Sequence, residues 1–229
     1  MSADVVFDRD RPARIGLAEA VFCAHKSRDQ VADAVADALS RGEPRLFTRL
    51  EPTLAAALPP ELSRALDYDP VSRTGVVGPL PAPAGPARVA VVTAGTSDVP
   101  VAAEAERTLA VAGEAAERHA DLGVAGLWRL LERRERLAAF PVVIAIAGME
   151  GALFSVLGGL VGGVLVAVPA STGYGVAAGG RAALASALGG CAPGVVTVNI
   201  DNGYGAACAA LRVLRALDAA RAGGRRGLP

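Results

Sequence analysis

Apolar positions in the second half of the chain fall into short β-branched runs separated by longer amphipathic stretches, a pattern that predicts strands alternating with helices. RVAVVTA, PVVIAIAG, GVLVAVPA and GVVTVNI read as strands, with DLGVAG as a shorter one. Helices are expected from about Val99 to His119, over GLWRLLERRERL, near Gly151 to Leu160, near Val176 to Leu188, and near Ala206 to Arg221. Such alternation implies an α/β domain with a parallel sheet covered on both faces. Before it, Ser27 to Arg41 predicts a helix with SRDQ as a capping box, followed by a strand around Arg45 to Arg49. Between the two patterns, PLPAPAGP holds four prolines in eight residues, as in a stiff extended linker. The expected organisation is a smaller N-terminal α/β domain over 1–78, a linker over 79–87 and a catalytic domain over 88–229.

The apolar stretch from Ala138 to Gly180 is long enough to imitate a membrane span, with Glu150 its one charged residue. Gly158, Gly159, Gly162 and Gly163 interrupt it, and doubly covered parallel strands are continuously apolar too, so buried strands are the better reading. With 52% hydrophobic residues the chain buries a sizeable core, and 23 basic against 23 acidic residues give no electrostatic signature of nucleic acid or anionic membrane as a partner. Cys23, Cys191 and Cys208 are widely spaced, form no CxxC pair, and have only two histidines to help hold a metal. Charged residues near the N-terminus leave no apolar signal stretch, and a cytoplasmic location is expected.

In open parallel sheets ligands bind beyond the carboxyl ends of the strands. The exits to examine are therefore Thr93 to Asp98, Ala147 to Gly151, Pro169 to Gly175 and Asn199 to Gly203. In the first, Gly95, Thr96, Ser97 and Asp98 suit phosphate or ribose oxygens, or simply cap a helix; Asp98 suits a hydroxyl or a cation better than phosphate. In the second, Gly148 and Met149 precede Glu150, which suits general acid or base work if burial raises its pKa, or else is a solvated helix-start carboxylate. Ser171, Gly173, Tyr174 and Gly175 in the third exit, and Asp201, Asn202 and Gly203 in the fourth, offer small residues and ring-stacking or turn-forming groups. Gly173 to Gly179 misses the dinucleotide fingerprint by one residue, and there is no Walker A motif. Cys191, in GGCAPG, is either a small inert hydrophobe or a nucleophile with room for a ligand beside it, and is expected near a strand exit on the same sheet edge as Glu150.

The ordered blocks VTAGTSDVPVAAEAERT, DLGVAGLWRLL, AIAGMEGAL, AVPASTGYG and CAPGVVTVNIDNGYGA resemble the LarB family across the second domain, and RPARIGLAEAVF, Lys26 and YDPVSRT fit it in the first. The second domain is in turn similar to the PurE fold. The resemblance implies a carboxylase and hydrolase that converts nicotinic acid adenine dinucleotide to pyridinium-3,5-biscarboxylic acid mononucleotide and AMP, for nickel-pincer nucleotide synthesis. It implies Cys191 as nucleophile, Glu150 as proton acceptor and Lys26 with the exit residues as substrate-binding groups. It further implies carbon dioxide or bicarbonate as co-substrate, magnesium as the assisting cation with ligands unknown, and a homo-octamer. Leu17, Ala18, Trp128 and Phe154 depart from residues common in the family. The alternatives are a PurE-type aminoimidazole ribonucleotide mutase, which the absence of a histidine near Ala152 disfavours, and a non-catalytic nucleotide-binding protein.

Overall fold

The computed structural model describes residues 7–223 and divides between Ala84 and Gly85 into two compact units, with Ala110–Gly113 grouped with the first. In the first unit α1 (Arg11–Ile15), β1 (Val21–Phe22), α2 (Arg28–Arg41), β2 (Arg45–Thr48), α3 (Pro52–Ala56), α4 (Pro60–Ala65), β3 (Leu66–Asp69) and β4 (Thr74–Val77) follow one another. The sheet order is β1-β2-β4-β3, with β1 and β2 parallel and the other pairs antiparallel. The capping box read in SRDQ is present: Gln30 N–H donates to Ser27 Oγ and Ser27 N–H to Gln30 Oε1. Val31, Val35 and Ala38 of α2 then bury against Phe47 and Val77. That burial removes enough apolar surface to hold the helix in place.

Asp37 lies on the same helix with its side chain 2% exposed, accepting from Arg41 and Arg45 at 3.0 and 2.8 Å. The Arg41 hydrogen bond, followed by that of Arg45, holds its carboxyl below the ordinary carboxylate range despite burial. The stabilisation is therefore complete above the ordinary pKa and drains away as pH falls through the depressed value. Asp37→Ala should cost about 3 kcal/mol at neutral pH, because two guanidinium groups lose their counter-charge. Chemical denaturation at pH 7 and at pH 3 checks this, with the gap between variant and wild type narrowing in acid.

The second unit runs β5 (Val89–Thr93), α5 (Val99–Val111), β6 (Ala116–His119), α6 (Leu127–Ala138), β7 (Val142–Ala147), α7 (Ala152–Gly158), β8 (Val164–Pro169), α8 (Arg181–Gly189), β9 (Val196–Thr197) and α9 (Gly203–Gly223). Its five strands are all parallel in the order β6-β5-β7-β8-β9, the doubly wound arrangement whose order reverses between β5 and β7. Ala90, Val92, Val143, Ala145, Leu165 and Ala167 point to one face, where Leu130, Leu137, Leu153, Phe154, Leu157, Ala183 and Ala187 cover them. The period of two sends Val91, Ile144, Ile146, Val166 and Val168 to the other face, and α9 packs there on β7 and β8. All of these strand residues are buried, which is why the runs read as continuously apolar. Among the described residues no helix is long and apolar enough to cross a membrane. The stretch that imitated a span is β7, α7 and β8.

Several expected elements differ. The helix expected to reach His119 stops at Val111, because Gly113 takes a left-handed φ of 74° and ends it. Ala116–His119 is then a strand paired with Val89–Val92. Its sequence, AERH, hides this, since an edge strand can carry charges: Glu117 pairs with Arg136 and Arg118 with Glu106. DLGVAG is not a strand but a loop with one 3-10 turn, after Asp121 in the left-handed region at φ 62°. The helix expected from Val176 starts at Arg181, behind a 3-10 segment broken at Ala178 and Gly179. In GVVTVNI only Val196 and Thr197 pair with β8.

Candidate active site

The carboxyl ends of β5, β6, β7 and β8 surround an open cleft of about 540 Å³ at the point where the strand order reverses. Gly95, Ser97 and Asp98 line it from the β5 exit, Gly123 to Ala125 from the loop after β6, Gly148 to Leu153 from the β7 exit, and Thr172 and Tyr174 from beyond β8. The reversal is what opens the space, because the crossover helices on its two sides lie on opposite faces of the sheet.

Asp98 organises the floor. It is 3% exposed, Oδ2 accepts from Gly95 N–H at 2.9 Å, and Oδ1 accepts from the Thr172 hydroxyl at 2.8 Å. The second bond reaches from the β5 exit to the β8 exit across Gly148, where a Cβ would stand 2.3 Å from Thr172 Oγ1. Glycine at 148 is thus required by the close approach of that threonine. Thr172 was not among the residues singled out from the sequence, since nothing local in PASTG distinguishes its hydroxyl from that of Ser171. Farther along the edge, Asp201, itself left-handed at φ 53°, accepts from Ser171 N–H at 2.8 Å and ties the β8 and β9 exits together.

Burial raises the Asp98 pKa above the ordinary carboxylate value, opposed by the bonds from Gly95 and Thr172 and helped by the negative charge of Asp201. The fold therefore favours the neutral acid. That contribution is present below the ordinary carboxylate pKa and is lost as pH rises through the raised one. Asp98→Asn keeps the shape, with an oxygen for Gly95 N–H and an amide to donate to Thr172. Thermal denaturation should place it above wild type at pH 8, with the difference vanishing toward pH 4. A variant less stable than wild type at pH 8 would show that the ionised carboxylate is instead stabilising.

The remaining exit residues divide. Thr96 is exposed beside Ser97 at the β5 exit, and Met149 takes a left-handed φ of 48° at the mouth of the cleft. Glu150 follows it and is exposed rather than desolvated. Ser171, Gly173 and Gly175 lie in the β8 exit without lining the cleft, and Tyr174, 76% exposed, stands at its rim. Asn202 Oδ1 accepts from Gly205 N–H and caps α9. Gly203 packs where a Cβ would meet Val101 O at 2.3 Å, so both have packing roles outside the cleft. Lys26 belongs to the first unit, on the loop after β1, and lines a separate pocket there with Phe22 and His25.

Cys191 corrects one expectation. It was expected on the same sheet edge as Glu150, but it lies between α8 and β9, on a loop that enters a strand rather than leaves one. Its neighbour Ala192 abuts Gly158 at the far end of α7, whose first residue follows the β7 exit. α7, about 10 Å long at roughly 1.5 Å per residue, thus runs between the neighbourhoods of the two residues. The GGCAPG run resembles a strand exit in composition alone. Cys191 is exposed, whereas Cys23 is buried with its thiol pushed up to about 12, and Cys208 is half-buried within α9.

The donor set does not suit a resident magnesium ion. Both oxygens of Asp98 and Oδ1 of Asp201 accept N–H or O–H donors, and no three metal-ligating side chains gather among the described residues. Of the departures from common family residues, Leu17 is buried in the first unit and Ala18 is exposed. Phe154, 1% exposed, fills the core under the β7 exit beside Gly151. Trp128, 64% exposed, stands on α6.

A doubly wound five-stranded sheet with its cleft at the reversal, joined to a small mixed-sheet unit, defines a PurE-like α/β protein with an added N-terminal domain. Residues 88–223 match the AIR carboxylase family, to which the chain belongs, and residues 3–79 match the LarB/PurE-like N-terminal domain. The architecture is LarB-like, with a PurE-like second domain. The chain is also 45% identical over 121 residues to the uncharacterized protein MJ0165 of Methanocaldococcus jannaschii. That alignment covers 52% of this chain and 46% of the other protein, so the chain spans about half the length of that relative.

Proposed function

We propose that the chain carboxylates C5 of the pyridinium ring of nicotinic acid adenine dinucleotide and hydrolyses the phosphoanhydride, yielding pyridinium-3,5-biscarboxylic acid mononucleotide and AMP. The observation that carries this reading is the cleft itself: its mouth presents a carboxylate, Glu150, and its lining holds no imidazole. An aminoimidazole ribonucleotide mutase would need a histidine, but the cleft has Ala152 where the PurE pattern would place one, and His25 and His119 lie elsewhere.

In the proposed chemistry a Cys191 thiolate adds to C4 of the pyridinium, the ring nitrogen takes up the electron pair, and the dihydropyridine becomes enamine-like at C5. C5 attacks carbon dioxide, Glu150 accepts the C5 proton, and expulsion of the thiolate restores the aromatic ring. Asp98 and Thr172 shape the cleft floor, and Thr96 and Ser97 are proposed to meet ribose or phosphate oxygens. Lys26, in the first unit, is proposed as a substrate-binding residue. Any magnesium ion enters as a companion of the substrate diphosphate.

Because Cys191 and Glu150 occupy opposite sheet edges in one chain, the reaction centre is proposed to form between copies, Cys191 of one facing Glu150 of another in a homo-octamer. The exposure of Cys191, Leu188 and Val196 along the amino edge, and of Met149, Tyr174 and Val176 at the carboxyl edge, supports such contacts. A substrate comparison tests the assignment. The acid dinucleotide should be carboxylated and NAD, with its C3 amide, should act mainly as a competitive ligand. Equal carboxylation of both would remove the specificity.

A further inference from the structure

The second unit carries another groove, of about 450 Å³, between the free edge of β6 and the first two turns of α6. Four α6 residues, Trp128, Arg129, Glu132 and Arg133, line one side of it. At 100° per residue they form a single helix face, with Trp128 at one margin and Arg133 at the other.

Three observations make this more than a solvated surface. Trp128 is 64% exposed, an unusual setting for the largest apolar side chain, and its indole lines the groove. Arg129 is paired with Asp121, but Arg133 forms no ion pair with a carboxylate among the described residues and lines the groove beside His119. His119, in the groove wall, has a side chain 8% exposed whose Nε2 faces Glu117 Oε1 at 3.1 Å.

We propose that this groove binds a purine mononucleotide, the base stacked on Trp128 and the phosphate held by Arg133. Five residues set the two positions about 7.5 Å apart along the helix axis, on the scale of a mononucleotide from base to phosphate. Indole faces stack on any base, and guanidinium groups bind phosphate in a bidentate manner. The lining is mostly charged, which suits a polar ligand better than an apolar helix; the exposed Leu127 and Leu131 of α6 lie outside it. The groove is adjacent to the active-site cleft through one loop, since Asp121 and Leu122 line the groove and Gly123 to Ala125 the cleft. The inference rests on the proposed function to the extent that it assigns the groove to the adenylate half of the dinucleotide.

Trp128 is the one tryptophan in the chain, so its fluorescence reports on this groove alone. Titration of the full protein with AMP should give saturable quenching, adenosine should quench at higher concentration, and inorganic phosphate alone should not quench. By calorimetry, Trp128→Ala and Arg133→Gln should each raise the Kd for AMP at least tenfold, and Arg133→Gln should leave adenosine binding nearly unchanged. Both positions are exposed, so the fold should persist in both variants. Absence of saturable quenching would overturn the proposal, as would AMP affinity unchanged in Trp128→Ala. So would a tryptophan emission that responds to protein dilution but not to AMP, which would make the groove a contact between copies. Turnover is read separately: a wild type that binds AMP but carboxylates nothing refutes the proposed function and leaves the groove assignment standing.

Discussion

Replacing Cys191 with alanine should lower carboxylation of nicotinic acid adenine dinucleotide by at least roughly 10^3-fold, because no other thiol is available to form the C4 adduct. Cys23 is buried and protonated at neutral pH, and Cys208 is half-buried in α9. Glu150→Gln should fail differently. The adduct should form and accumulate, and turnover should fall on the order of 10^2 to 10^4-fold because the C5 proton has no acceptor. Intact-protein mass and dihydropyridine absorbance separate the two: adduct absent in Cys191→Ala, present in Glu150→Gln. Normal carboxylation by the alanine variant would defeat the covalent route. Loss of the adduct in Glu150→Gln would reassign that glutamate to binding or thiol activation.

The second large effect concerns assembly. If each reaction centre takes Cys191 from one copy and Glu150 from another, two inactive variants complement each other. Cys191→Ala and Glu150→Gln, dissociated and reassembled together, should recover roughly a quarter of wild-type activity, since random pairing supplies both native groups to that share of sites. Each variant reassembled alone should stay inactive. A mixture no more active than its components, with mixed oligomers demonstrated by mass, would require both groups to come from one chain. The opposite-edge placement of the two residues stands against that outcome.

Period-two and helical patterns made β5, β7, β8 and their helices readable, because in a doubly covered sheet burial writes itself as continuous β-branched runs. β6 escaped for the converse reason: as an edge strand it carries Glu117 and Arg118, and its pairing with β5 is not a local property of AERH. The exits of β5, β7 and β8 were correctly placed around a cleft, as strand direction alone fixes which loops share an edge. Cys191 was misplaced because glycine and proline mark loops at either end of a strand, and GGCAPG gives no direction. The Asp98 to Thr172 bond spans 74 positions, beyond any pattern within a single sequence. The departure at Phe154 also changes meaning once seen in place, as a core-filling side chain beneath Gly151 rather than a group facing a ligand.

The central claim is tested most directly by incubating the purified protein with nicotinic acid adenine dinucleotide, bicarbonate and magnesium, and identifying the products by mass spectrometry. The expected products are a mononucleotide heavier than nicotinic acid mononucleotide by one carboxyl group, with the label retained from isotopic bicarbonate, and one equivalent of AMP. An unaltered dinucleotide under these conditions, with carboxylation of aminoimidazole ribonucleotide in its place, would contradict it.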